Sequence, residues 1–382
     1  MYKIKQIPED FCVNEITKFG KGIEVKEQGN FIYCLLKKKN HTTLNALQRI
    51  AYELNLPLKG IGFSGNKDKA AVTEQAISIY DAGNRARGKI DSFNTHFTDK
   101  GILLEKRGYG DCPISLGDHL GNEFKITIRN LAGKDVVKIK KVGTNTKLDN
   151  NNTLRFVNYY GEQRFSKQNK EIGKLLLQKK FKEATELLIE TEGEVENKIS
   201  KYLENNRKDY VNALKTVPKK LLLMYIHSYQ SYIWNIAAEK LVTKYGDKNR
   251  NYNDNPKNGN TKANSVLNLE IPIIGFGTEI ERIENEDVKK IISDILKKEK
   301  ITPRDFIIKQ IPDITAEGTA RELYCEVKDF KMSKPEPDDL NKGKKKLIVE
   351  FSLPKASYAT EVIRQIFSIN LNIYDSLIAQ NK

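Results

Sequence analysis

The pattern of apolar residues changes twice along this chain, and that change constrains the fold more than any other feature. Residues alternate between apolar and polar near both ends, at 11–16 and at 346–353, which is typical of strands. Helical spacing dominates the middle, at residues 172–189 and 226–241. Strand-rich ends around a helix-rich middle predict one domain with an inserted helical part, not two domains in series.

Composition agrees with a large folded chain. The 382 residues exceed the usual size of one domain, and 39% hydrophobic with 30% charged residues can bury a core. No apolar run approaches eighteen residues, and residues 1–8 lack the apolar stretch of a signal peptide. We therefore expect a cytoplasmic protein without a membrane span. Residues 245–265 are nearly devoid of apolar side chains and predict an exposed loop.

Local patterns place further elements around this frame. Thr42 or Thr43 is a suitable N-cap for the first helix. Apolar residues at helical spacing near the C-terminus predict a final helix after the last strand-rich stretch. The predicted strands are 31–36, 76–80, 123–129, 267–276 and 322–327, and the predicted helices are 43–54, 288–296 and 359–367.

Charge indicates a polyanionic partner. Lysine and arginine total 65 against 50 acidic residues, a surplus of 15 positive charges. Neutralising phosphates releases counterions, so such a surplus favours nucleic-acid binding, although abundant Lys, Asn and Ile also fit a biased coding sequence. The four cysteines and four histidines are scattered without zinc-ligand spacing, so we expect neither a metal site nor disulfides.

A glycine-rich pattern at residues 60–65 matches G-x-G-x-x-G, with Asp81 at a suitable distance for a ribose ligand. Its context argues against a dinucleotide site, because Pro57 interrupts the lead-in and a polar stretch follows. Asn66 stands where a Walker A motif needs lysine. The hypothesis of a nucleotide-dependent enzyme thus rests on the glycines alone.

The stretch of residues 65–75, here called the aspartate segment, carries a better candidate. Its glycine permits a tight turn, and Asp68 lies between Lys67 and Lys69. A carboxylate between two ammonium groups is held ionised and is available as a nucleophile or base. The alternative is an ordinary surface cluster of charges.

Two aromatic-polar stretches complete the candidates. Residues 158–165, here called the tyrosine segment, combine three aromatics, two amides and an arginine, which suits stacking a base and hydrogen-bonding its edges. Residues 351–364 end a strand, turn, and open a helix near Tyr358. For any single aromatic residue, burial in the core is the commoner outcome.

With these segments, the chain closely resembles the TruD family of tRNA pseudouridine synthases. The aspartate segment matches the family pattern G-x-K-D-[RK]-x-A-x-T-x-Q throughout. The tyrosine segment matches Asn-Tyr-Phe-Gly-x-Gln-Arg-Phe except at Tyr160. Other family patterns occur in the expected order at residues 9–15, 116–126, 227–235 and 353–360.

The resemblance implies an α+β fold. It predicts a pseudouridine synthase catalytic domain with a mixed, largely antiparallel sheet, formed by residues 1–168 and 317–382. A mainly helical α/β insertion domain, specific to the family, would occupy residues 169–316. This division agrees with the change of pattern along the chain.

The resemblance also implies an isomerase that needs neither metal nor other cofactor. Asp68 corresponds to the catalytic aspartate, which engages C1′ of a flipped-out uridine. Phe11, Asn158 and Tyr358 correspond to residues that contact the target nucleotide, and Tyr160 adds a hydroxyl in the same pocket. Glu15 is expected to support this group, and Lys67 to be the cationic partner of Asp68.

The resemblance implies that the substrate is tRNA and that the target is uridine 13. It also implies that the protein is a monomer. A non-catalytic RNA-binding protein on the same scaffold is the alternative, but it would need a damaged aspartate segment. Three residues depart from the family pattern. Tyr160 replaces Phe, Ala356 replaces a Gly that a positive φ would require, and Gln365 replaces a Glu beside Arg364.

Overall fold

The structure is a computed structural model that describes residues 1–81, 83, 86–137, 154–165, 168–190, 194–245 and 268–367. The chain forms two compact units. The first unit contains Met1–Arg155 and Glu326–Ala359, and the second contains Phe156–Cys325 and the residues from Thr360 onward. The predicted borders at 168 and 317 lie 13 and 9 residues inside the second unit, and the assignment of 169–316 as an insertion stays a prediction.

A large mixed sheet organises the first unit. The strands are β1 (Phe11–Thr17), β2 (Phe31–Lys39), β3 (Ile61–Phe63), β4 (Val72–Tyr80), β5 (Ile102–Gly110), β6 (His119–Leu131), β10 (Tyr324–Met332), β11 (Glu336–Pro337) and β12 (Lys345–Pro354). They follow the order β5-β2-β4-β1-β6-β12-β10, in which β1 and β4 are parallel and the other pairs are antiparallel. The predicted mixed, largely antiparallel sheet is thereby confirmed.

Two helices cover one face of this sheet, α1 (Thr43–Glu53) and α2 (Ile90–Phe97). The side chain of Thr42 caps α1 by accepting from the Asn45 amide. Apolar residues of α1 recur at helical spacing and pack on the apolar face of β2, which includes Leu36. This cover leaves the loop between β3 and β4 at the margin of the core.

A long helix organises the second unit. It is α7 (Lys219–Tyr245), and Trp234 on it donates its indole N–H to the carbonyl of Ile271 at 3.3 Å. A Cβ at Gly173 would lie 2.2 Å from the Tyr225 carbonyl oxygen, so glycine is required where α3 crosses α7. The other elements are α3 (Asn169–Leu177), α4 (Phe181–Ile189), α5 (Glu194–Asn205), α6 (Tyr210–Lys215), α8 (Glu286–Glu299), α9 (Ala359–Phe367), β7 (Leu154–Val157), β8 (Glu270–Ile273) and β9 (Thr319–Glu322).

Most predicted elements are confirmed, and α9 has the predicted bounds. One predicted helix is wrong in its continuity, because 172–189 is divided into α3 and α4 by Lys179, which has a φ of 58°. The predicted loop at 245–265 lies, beyond Tyr245, outside the described residues. None of the helices in the described part of the chain is both long and apolar enough to span a membrane.

The glycine-rich pattern has a packing explanation. Gly62 belongs to β3, and a Cβ there would lie 2.3 Å from the carbonyl oxygen of Ile114. The absence of a side chain lets two main chains approach each other. The central glycine of the pattern is therefore explained by strand packing and gives no support to a nucleotide-dependent enzyme.

Candidate active site

The aspartate segment begins after β3 and continues into β4. Buried side chains bind its main chain on the side of the core. Thr43 accepts from the amide of Lys67 at 2.9 Å and donates to the Gln75 side chain at 3.0 Å. Gln75 in turn donates to the carbonyl of Gly65 at 2.9 Å. The last residue of the family pattern thus fixes the first.

A buried lysine binds the same main chain. Lys38 on β2 is 1% exposed, and its ammonium donates to the carbonyl oxygens of Asp68 and His41, both at 2.8 Å. A longer bond of 3.4 Å reaches the carbonyl of Lys67. Burial lowers the pKa of Lys38 to about 8.

The carboxylate of Asp68 points away from these contacts. Its side chain is 39% exposed and accepts from the ammonium of Lys5 at 2.9 Å. Lys5, 17% exposed, also lies 4.0 Å above the ring of Phe11. A single carboxylate on a fixed main chain, with one cation beside it, is therefore available at the surface of the first unit.

Lys67 has a different partner from the one predicted. Its ammonium binds Glu15 at 2.6 Å, whereas the recorded ion pair of Asp68 is with Lys5. The predicted pairing of Lys67 with Asp68 is corrected accordingly. The reason is that Glu15 is fully buried and needs a counter-charge more than an exposed carboxylate does.

The carboxylate of Glu15 accepts hydrogen bonds from several groups besides Lys67. Its carboxylate also accepts from the amide of Ala76 at 3.1 Å and from the hydroxyl of Ser64. Gly117, in the turn before β6, donates its amide to the carbonyl of Ser64 at 2.7 Å. Burial lowers the pKa of His119 nearby. Because its side chain has no exposure, Glu15 can support the site but cannot reach a substrate in this structure.

Phe11 is largely enclosed. It is 2% exposed and contacts Phe124 edge-on, with ring centroids 6.1 Å apart. The ammonium of Lys5 covers it from the direction of Asp68. Phe11, Glu15, Lys67 and Asp68 are thus brought into one group, linked by Lys5 and the aspartate segment.

Tyr358 belongs to the first unit and is half-buried, immediately before α9. The turn that leads to it contains Ala356, which has a φ of 61°. The family glycine at this position is therefore explained, because only glycine adopts this conformation without strain.

Asn158 and Tyr160 belong to the second unit. Arg321 grips Asn158 twice, through the main-chain oxygen at 2.9 Å and the side-chain oxygen at 2.6 Å. The same guanidinium lies 4.3 Å from the ring centroid of Tyr160. These contacts fix both the main chain and the amide orientation of Asn158.

Tyr160 is built into the core of its unit. It is 9% exposed and meets Trp234 edge-on, with centroids 5.7 Å apart. Asn235 accepts from the amide of Tyr160 at 2.9 Å and donates to its carbonyl at 3.0 Å. Ser228 on the same helix donates to the carbonyl of Arg164 at 2.8 Å. The tyrosine segment and residues 227–235 are therefore one packed assembly.

The departure at Gln365 also has a local explanation. Its amide accepts from the N–H of Val157 at 3.0 Å and donates to the carbonyl of the same residue at 2.8 Å. An ionised glutamate could not make the second bond. Arg364 finds its carboxylate partner on its own helix, in Glu361 at 2.8 Å.

Lys5, Lys38 and Arg321 were not predicted from the sequence. Lys5 lies six positions before Phe11, and Arg321 stands between Ala320 and Glu322, where its neighbours give no sign of a contact with Asn158. Lys38 is the middle of three lysines, which resembles a solvated strand end. Lys5 and Lys38 lie 63 and 30 positions from Asp68, and Arg321 lies 163 positions from Asn158. Only tertiary structure therefore reveals these contacts.

Comparison with known proteins covers nearly the whole chain. The family model of tRNA pseudouridine synthase D (TruD) matches residues 2–201 and 191–366. The "tRNA pseudouridine synthase D" of Aquifex aeolicus is 28% identical over 96% of this chain and 98% of its own. A "Probable tRNA pseudouridine synthase D" of Nanoarchaeum equitans is 30% identical over the same shares. A TruD crystal structure from Methanosarcina mazei has a TM-score of 0.69 at 26% identity, covering 96% of this chain and 94% of its own.

Proposed function

The chain belongs to the TruD family of tRNA pseudouridine synthases, and we propose that it isomerises uridine 13 of tRNA with Asp68 as the nucleophile. The observation that carries the proposal is the exposed carboxylate of Asp68, paired with Lys5 on a main chain fixed by buried groups. A nucleophile needs this combination of access and fixed position.

The proposed reaction conserves all atoms. A carboxylate oxygen of Asp68 bonds to C1′ of the uridine while the C1′–N1 bond breaks, and the electron pair leaves with the uracil. The uracil turns, C5 bonds to C1′, and the carboxylate departs. A proton is lost from C5 and one is gained at N1. The product is an isomer of the substrate, so the chemistry calls for no cofactor.

The target uridine must leave the RNA stack before the carboxylate can reach it, which costs a few kcal/mol, about 2–4, to be recovered from contacts to the nucleotide. We assign those contacts to Phe11, Tyr358, Asn158 and Tyr160. The ion pair of Glu15 and Lys67 supports the main chain beneath Asp68. Phe11 can offer its ring only if Lys5 shifts, because Lys5 covers it. Lys5 is thus the group that both Asp68 and the incoming nucleotide contact.

Two further expectations belong to this proposal. The protein acts in the cytoplasm, where tRNA is available, and it acts as a monomer. Size-exclusion chromatography with light scattering, with and without tRNA, tests the second; a dimer that persists at assay concentration would contradict it.

Asp68→Asn tests the nucleophile. The substitution keeps shape but removes the charge, so we expect pseudouridine formation to fall at least about a thousand-fold. Tritium release from tRNA containing 5-tritiated uridine measures it. Affinity for tRNA should stay within about three-fold, since the phosphate contacts are unaffected. Normal turnover by the variant would make the assignment wrong.

Asp111→Asn is the matched control, because Asp111 is also an exposed aspartate in an ion pair, with Lys26 at 2.9 Å. It should leave the rate unchanged. A tRNA transcript with cytidine at position 13 tests the target, and tritium release that continues from this transcript would move the site elsewhere.

A further inference from the structure

Three consecutive lysines end strand β2, and they differ in their surroundings. Lys37 is half-exposed and pairs with Glu74 at 3.2 Å and Glu105 at 2.9 Å. Lys39 is exposed and pairs with Glu9. Lys38 points to the opposite face, towards the apolar core, and forms no ion pair with any carboxylate in the part of the chain that the structure describes. A buried lysine without a direct counter-ion is costly, so its contacts need an explanation.

The contacts of Lys38 are all main-chain carbonyl oxygens. They belong to His41, Lys67 and Asp68, at 2.8, 3.4 and 2.8 Å. An ammonium group has three N–H donors and can serve all three. A neutral amine has two donors and a lone pair, which would face a carbonyl oxygen. The full set of bonds therefore requires the protonated lysine.

The charged groups that face Lys38 come from the aspartate segment. The Asp68 carboxylate favours its protonated form, whereas the Lys67 ammonium opposes it. Its register partners on the neighbouring strands, Thr73 and Ile102, are uncharged. Burial is the largest influence and lowers the pKa of Lys38 to about 8.

We propose that Lys38 is a positioning residue, whose ammonium fixes the main chain of Asp68 and so aims the carboxylate at the substrate. Loss of its proton releases at least one carbonyl and lets the nucleophile drift. The inference rests on the proposed function, since it acts through Asp68. Misplacing a reacting group by about 1 Å costs on the order of a hundred-fold in rate.

Activity and stability should respond to pH in opposite directions. The pKa of Lys38 in the folded protein lies below its ordinary value of 10.5. Between about pH 8 and that value the unfolded chain holds the proton and the folded chain does not, so this group's contribution to stability rises with pH. The rate should fall over the same range. A lysine with only a structural role would give no such opposition.

The experiment uses the full chain and a tRNA transcript, with kcat, KM and thermal unfolding measured from pH 6.5 to 9.5. For the native protein we expect kcat to fall above about pH 8 with little change in KM. Lys38→Met should lower kcat ten- to a hundred-fold and remove this pH dependence. Lys37→Met, its neighbour on the opposite face, should retain both the native rate and the native profile.

Lys38→Arg provides the second variant, because arginine keeps its charge throughout this range. It should hold kcat constant above pH 8, even if the larger group lowers its absolute value. A native kcat that does not fall above pH 8, or a fall that persists unchanged in the arginine variant, would overturn the inference. Native kcat in Lys38→Met would do so as well.

The two proposals fail in different ways. Normal turnover by Asp68→Asn would show that Asp68 is not the nucleophile. The positioning role of Lys38, which acts through Asp68, would then be rejected as well. Inactive Asp68→Asn together with fully active Lys38→Met would leave the proposed function intact and reject the role of Lys38 alone.

Discussion

The aspartate segment and the tyrosine segment are both family signatures, yet they are held in opposite ways. In the aspartate segment, Thr43 and Lys38 bind the main chain and leave the carboxylate of Asp68 exposed. In the tyrosine segment, Asn235 binds the main chain and the ring of Tyr160 is buried against Trp234. One segment leaves a carboxylate accessible, whereas the other packs the ring of Tyr160 into the core of its unit.

This difference shows why a conserved-looking pattern does not by itself indicate chemistry. The first segment carries an unburied charge, which costs the fold little and leaves the carboxylate accessible to a ligand. Around the second segment, Asn235 satisfies buried main-chain groups, which would otherwise cost about 1–3 kcal/mol each. Substitutions in the two segments should therefore separate activity from stability.

Among substitutions that leave Asp68 itself in place, Lys5→Met should give the largest effect on activity. It removes the ammonium beside Asp68, and loss of one charged group next to a reacting centre lowers kcat by about 10²–10³-fold. Stability should change by less than about 1 kcal/mol, because the ion pair is partly exposed. Tritium release and chemical denaturation measure the two effects.

Lys3→Met is the control, since Lys3 lies two residues away and its ammonium donates to the side chain of Asn341, away from Asp68. It should behave as the native protein in both measurements. A Lys5 variant that lost stability but kept kcat would show that the contacts of the aspartate segment, like those of the tyrosine segment, serve stability and not activity.

Asn235→Ala should give the reverse result. It leaves the amide and carbonyl of Tyr160 without their partner inside the second unit, so we expect a loss of about 2–3 kcal/mol. The kcat of the folded fraction should fall much less than in Lys5→Met. Thermal unfolding and active-site titration would measure stability and folded fraction separately.

Asn235→Asp sharpens that test. The aspartate can still accept from the Tyr160 amide, but when ionised it cannot donate to the carbonyl. A large fall in kcat with unchanged stability in either Asn235 variant would show that the tyrosine segment acts in catalysis beyond its packing.

The sequence predicts the elements well where one side of an element is buried. The strands 11–16 and 346–353 are predicted because burial on one face imposes a period on apolar residues. The break at Lys179 was missed because a positive φ in a lysine leaves no mark on periodicity. Asp68 was found through the family pattern. Lys5 and Lys38 could not be found, because strand register and tertiary contacts alone select them from 65 basic residues.

Ala356→Gly should give the smallest effect, in a turn of the first unit that neither segment contains. Its φ of 61° strains an alanine, and glycine removes that strain while gaining freedom in the unfolded chain, for a net stabilisation of about 0.5–1 kcal/mol. Ala320→Gly, on the exposed strand β9 of the second unit, should destabilise by a similar amount, because glycine weakens a strand. Thermal unfolding of the pair gives the sign. Since Tyr358 follows two residues later, kcat is the informative second measurement: unchanged kcat makes the strain incidental, whereas a fall in kcat would join this turn to the aspartate segment as part of the site.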